Sequence, residues 1–176
     1  MSTILDILSP GDILTHAYHG SPNDASEDDF CALKAAAARG VVIDTGFAGF
    51  VHTDFGVMRD AFAAGAFPST ISTDLTKLSI FARGGRYGMG VCMSIARHLG
   101  MKEEAIYKAV TQTPARVLGK ESEWGTLRVG SAADIVVSEY SDEGFDMTDK
   151  AGNRITGTEG YRTLLTIVDG QIVYKH

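Results

Sequence analysis

The chain has 176 residues, 44% of them hydrophobic and 22% charged, with a formal net charge of -6. That composition supports one globular unit with a real core, and a mildly acidic chain without a Lys/Arg cluster is poorly suited to nucleic acid or an anionic membrane surface. Cys31 and Cys92 show no CxxC spacing, residues 1–9 carry Asp6 in place of a basic leader, and no apolar run approaches a membrane span of roughly 18 residues. Two reduced thiols and a soluble, cytoplasmic protein are therefore expected.

In chain order, Gly11–His16 reads as a short strand after a Pro-Gly turn. A loop rich in Gly, Ser, Pro and Asn follows. Ser26 and Asp29 then have capping-box spacing for a helix through Phe30, Leu33 and the alanine block, which Gly40 stops. Val41–Asp44 is a second buried strand, broken by Gly46 and Gly49. A helix over 57–64 ends at Gly65, and Thr70–Thr73 is a third strand, entered from Pro68. Helices are expected over 91–99 and 102–110, with a short one capped by Thr113 and opened by Pro114.

This alternation is the pattern of parallel βαβ units with strands covered on both faces. Three units are too few for a closed (β/α)₈ barrel of about 250 residues. The last third changes character. Ala133–Val137 is a strand, and Leu164–Val168 and Gln171–Tyr174 form a hairpin about Asp169-Gly170, a type I′ signal.

Two polar residues close predicted parallel strands. His16 ends the first and Asp74 ends the third, at the end where barrel enzymes place their active sites. A neutral imidazole and a carboxylate converging there suit a zinc-type metal with an activated water, and the carboxylate could take that water's proton. On the residues alone, His16 is a loop residue or a ligand, and Asp74 is a turn cap or a catalytic acid. His19 and His52 lie in Gly-rich loops on the same face. His98 closes a helix, where it suits the negative end of the dipole. Gly84–Gly88 lacks the Walker pattern and reads as a flexible loop or a lid over the site.

These residues, taken in order, resemble the amidohydrolase superfamily, and most closely its dihydroorotase-like deacetylases. Asp12–Gly20 is similar to the sixth barrel strand, Val41–Gly46 to the seventh, and Ser69–Leu75 to the eighth, which delivers the catalytic Asp. Thr111–Gly119 resembles the following helix. Gly125–Val137 and Val168–Tyr174 resemble the β-sandwich return. The resemblance implies an α/β fold with the last three βα units of a partial TIM barrel over 1–120. A small antiparallel β-sandwich element would occupy 121–176.

It further implies His16 and Asp74 as ligands of zinc or another divalent metal, Asp74 also as general base, and hydrolysis of a cyclic amide or N-acyl substrate by metal-activated water. The family's ligands from strands one, four and five have no counterpart here. Where close relatives carry Gly-His after strand seven, this chain has Gly46-Phe47, and His52 is the candidate to take that place. His19 and His52 are expected on the substrate. Two readings follow: a genuine part of a metal-dependent amidohydrolase, or a catalytically silent structural module. Both expect a homo-oligomer that covers the open barrel edge.

Overall fold

The computed structural model describes residues 1–22, 24–82 and 87–176. Two short parallel strands, β1 (Ile13–Leu14) and β2 (Val42–Ile43), pair in the register Ile13 to Val42 and Leu14 to Ile43. The third expected strand runs beside β2. It is joined by the parallel bridge of Asp44 with Thr70, and further along the Phe47 amide donates to the Ser72 carbonyl at 3.2 Å. Its pairing is looser than a full strand, because the carbonyl of Ile43 takes both the Ser69 and the Thr70 amide. Helix α2 (Cys31–Arg39) connects β1 to β2, and α3 (Phe55–Ala63) leads from β2 to this segment. The fold is thus α/β with parallel βαβ units and, among the described residues, no closed barrel.

Several local expectations need correction. A first helix, α1 (Ser2–Ile7), buries Leu5 and accepts Arg39 Nη2 on the Leu5 carbonyl at 2.7 Å. Ser26 does not cap α2. Ser26–Asp28 form a 3₁₀ turn, Asp29 and Phe30 follow with φ of 54° and 61°, and α2 begins only at Cys31. The left-handed pair swings Phe30 into the core, and Asp28 accepts the Ala32 amide at 2.8 Å. Asp54 caps α3 by accepting the amides of Gly56 and Val57.

Helix α4 (Lys77–Ala82) had no sequence signal. It is followed by α5 (Met89–His98), α6 (Glu103–Val110) and α7 (Gln112–Val117). Thr111 rather than Thr113 precedes α7. The expected glycine loop falls largely on 84–86, outside the described residues. Cys31 is exposed and Cys92 buried, both free, and burial pushes the Cys92 thiol up.

The C-terminal third builds one three-stranded antiparallel sheet in the order β3 (Ile135–Ser141), β6 (Gly160–Val168), β7 (Gln171–Lys175). Asp169 and Gly170 turn β6 into β7 with φ of 49° and 73°, as a type I′ turn requires. Between β3 and β6 the chain inserts a hairpin, β4 (Phe145–Thr148) with β5 (Arg154–Gly157). Its alternating inward side chains, Phe145, Met147 and Ile155, join the same hydrophobic core as Ile43, Phe47, Met58 and Ile95. Helix α5 docks on β6 closely enough that a Cβ on Gly90 would stand 2.9 Å from the Tyr161 carbonyl, while Tyr161 donates its amide to Ser94 Oγ at 2.8 Å. Among the described residues, no helix is long and apolar enough to cross a membrane.

The parallel segments are locked by one buried carboxylate. Asp44 accepts hydroxyl hydrogen bonds from Thr15 at 2.8 Å, Thr70 at 2.7 Å and Ser72 at 2.6 Å. It is only 6% exposed, so its oxygens need these donors in place of water. Asp44→Asn keeps the shape but loses the charge-assisted bonds. We expect it to cost about 3 kcal/mol of stability, read as a lower urea midpoint with an unchanged slope. An unaltered midpoint would contradict this role.

Candidate functional site

The end of the parallel segments is fixed by backbone conformation as much as by pairing. His16 and Asp74 have φ of 58° and 45°, in the left-handed region where non-glycine residues are uncommon. A residue so disposed cannot continue a strand, so each segment stops there and its last side chain turns onto the sheet end. Gly46 has φ 51° at the matching point after β2. Its missing Cβ matters, because one placed there would stand 2.3 Å from His16 Nδ1.

That space lets His16 Nδ1 approach the Gly46 carbonyl at 2.6 Å. A carbonyl only accepts, so the imidazole carries its proton on Nδ1 and presents the lone pair of Nε2. Nε2 lies 3.8 Å from Asp74 Oδ2. The two side chains are 29% and 47% exposed, so the pair sits at an accessible surface. Tyr87 helps to hold this end by donating its hydroxyl to the Thr73 carbonyl.

The other two expected residues lie alongside. The His52 ring centroid is 4.5 Å from that of His16, and the His19 ring stacks on His52 at 5.6 Å. His52 thus stands over the site from the loop after β2, whereas Phe47 is fully buried and packs on Phe50 at 5.5 Å. His98 lies elsewhere, edge-on to Phe145 at 5.6 Å. Sequence reasoning missed Asp44, Gly46 and Lys150. Asp44 had a readable signal, an acid ending an apolar strand between two hydroxyl-bearing segments. Lys150 had none, being 131 positions from the His19 it contacts.

A zinc-type ion bonded to both ligands at about 2.1 Å requires donors roughly 3–4 Å apart. His16 Nε2 and Asp74 Oδ2 meet that condition, and the carbonyl on Nδ1 is the partner that usually orients a ligating histidine. The pair fits two positions of a shell. Among the described residues, no group of three His, Cys, Asp or Glu forms a fuller one.

The model of the amidohydrolase family matches residues 73–174. The chain belongs to the amidohydrolase family. It is 33% identical over 153 residues to the deacetylase Atu3266 of Agrobacterium fabrum, covering 85% of this chain and 37% of that protein. Among solved structures it resembles an adenine deaminase at 28% identity and TM-score 0.87, and a dihydroorotase at 26% and 0.85. Each covers 99% of this chain, which in turn covers 48% and 47% of them. The amidohydrolase chain therefore spans less than half the length of these relatives.

Electrostatics favour the neutral form of His52. Burial lowers the His52 pKa below the ordinary 6.5, and the neighbouring His16 and His19 lower it further. The folded protein thus holds this proton less tightly than the unfolded chain. The stabilising contribution is fully present above pH 6.5 and is lost as the pH falls through the lowered value. In an NMR titration His52 should protonate below pH 6.5, and His16→Ala should move its midpoint upward. A midpoint at or above 6.5 would contradict the arrangement.

Proposed function

We propose that this chain carries the C-terminal share of a metal-dependent amide-hydrolase site, with His16 and Asp74 as two of its metal ligands. The observation that supports the reading most is the oriented pair, with Nε2 aimed at a carboxylate 3.8 Å away and Nδ1 tied to the Gly46 carbonyl. The family, the deacetylase relative and the dihydroorotase likeness support an amide bond as the target. A divalent metal, when bound, supplies the positive charge that acidifies water and polarises an amide carbonyl.

The chain's own residues have separate tasks. His16 spends its Nδ1 hydrogen on the Gly46 carbonyl, which leaves Nε2 as the ring nitrogen that would face a metal. Asp74, nearly half exposed and reachable by solvent, is the group that takes a proton from the attacking water. His52, with its lowered pKa, remains neutral near pH 7 and can accept or donate a hydrogen bond to a substrate beside His16. His19 extends that wall outward.

The test is the melting temperature of the 176-residue chain with and without added zinc. A ligand that binds only the folded state at a hundred times its dissociation constant stabilises by about 2.7 kcal/mol. We expect a clear zinc-dependent rise that His16→Ala and Asp74→Asn each abolish. Equal melting temperatures with and without zinc in the unsubstituted chain would instead support the silent structural module.

A further inference from the structure

We infer that Tyr87 is a positioning residue: its buried hydroxyl bridges the turn that carries Asp74 and the turn that leads to His52, and holds the two together. The inference rests on the amide-hydrolase reading and adds to it the group that aligns a candidate metal ligand with the histidine wall beside it.

The first support is strain. Asp74 has φ of 45°, and the turn after β2 holds Ala48, Gly49 and Phe50 at 48°, 65° and 71°. Non-glycine residues enter the left-handed region rarely and as single residues, and they stay there only where the surrounding structure overrules the preference. Each strained turn delivers a site residue: Asp74 itself, and His52 two residues past Phe50. Contacts from outside the two turns must therefore hold them.

The second support is that Tyr87 supplies such contacts to both. Its hydroxyl donates to the carbonyl of Thr73, the residue before Asp74. That carbonyl also accepts the Ala48 amide at 2.9 Å, which stitches the two turns directly. The Gly49 amide and the Cys92 thiol of α5 hydrogen-bond to the Tyr87 hydroxyl in turn. Its one hydrogen and two lone pairs are thus all engaged. The Tyr87 ring packs edge-on to Phe50, with centroids 5.2 Å apart.

The third support is burial. Tyr87 is 6% exposed, and Phe50 and Cys92 beside it are fully buried. Burial raises the Tyr87 pKa above the ordinary 10, so the hydroxyl keeps its hydrogen. Without that hydroxyl the Thr73 carbonyl would lose one of its two donors and the Gly49 amide this acceptor, at a place water does not reach. His16 provides an internal contrast. It is left-handed too, at φ 58°, but it is tied to the Gly46 carbonyl and not to Tyr87.

The experiment compares Tyr87→Phe, which removes only the hydroxyl, with Ile106→Val, a cut in the core at α6 that serves as the structural control. Strong NOEs between a residue's own amide and α protons report positive φ, and ring-to-ring NOEs report the His16–His52 contact. In Tyr87→Phe we expect Asp74 to lose its positive-φ signature and the His16–His52 NOE to weaken, while His16 keeps its own signature. Zinc affinity by calorimetry should fall about tenfold. Ile106→Val should lower the melting temperature and leave these readouts unchanged. An Asp74 signature and ring contact that persist in folded Tyr87→Phe, or a zinc affinity that the substitution leaves intact, overturn the assignment. If Tyr87→Phe does not fold, the unsubstituted chain decides: the Tyr87 hydroxyl proton should resist exchange and show an NOE to the Gly49 amide, and its absence overturns the bridge. The NMR readouts need no metal. A chain that takes up no zinc, yet releases Asp74 and His52 in Tyr87→Phe, refutes the metal site and upholds the bridge. Zinc uptake with both turns unmoved refutes only the role of Tyr87.

Discussion

The pairing of the parallel segments depends on one buried carboxylate. Asp44, at the end of β2, accepts one hydroxyl from the segment before it and two from the segment after it. Two strand residues per partner give little intrinsic strand stability. The three charge-assisted bonds cross-link the segments where backbone pairing is thinnest, in a site too dry to leave the charge unpaired. They also set the site. Thr15 precedes His16 directly, and Ser72 lies two residues before Asp74. Fixing those hydroxyls fixes the roots of both candidate ligands.

The other side of the site is built from farther away. The inserted β4–β5 hairpin contributes apolar side chains to the common core and clamps its turn onto the start of α3 through Asp149. The C-terminal third thereby packs against the α/β part that carries the candidate ligands His16 and Asp74. This division suits a family in which the chemistry is placed on strand ends while the surrounding loops vary.

The sequence made the elements with strong local signals legible. The apolar runs of β1 and β2 and the segment at Thr70 declared the parallel units, and Asp169-Gly170 declared the last hairpin. His16 and Asp74 stand out because each closes a predicted parallel strand at the end where barrel enzymes place their sites. What stayed hidden was non-local or weakly coded. Helices α1 and α4 have six residues each and no side-chain cap or glycine stop to announce them. The β4–β5 hairpin did carry alternation at Phe145, Met147 and Ile155, but charged and glycine residues between them masked it. The Ser26 cap failed because burial of Phe30 required a left-handed turn that overrides capping preference. Lys150 could not be placed by any local rule, since only the fold brings it to His19.

The strand ends hold His16 in one orientation, with Nδ1 donating to the Gly46 carbonyl and Nε2 facing Asp74. Long-range nitrogen–proton NMR correlation of the His16 ring at neutral pH tests it most directly. The Nδ1-protonated form is expected, with the proton engaged by the Gly46 carbonyl. A ring protonated at Nε2, or one that averages freely between the two forms, would contradict it.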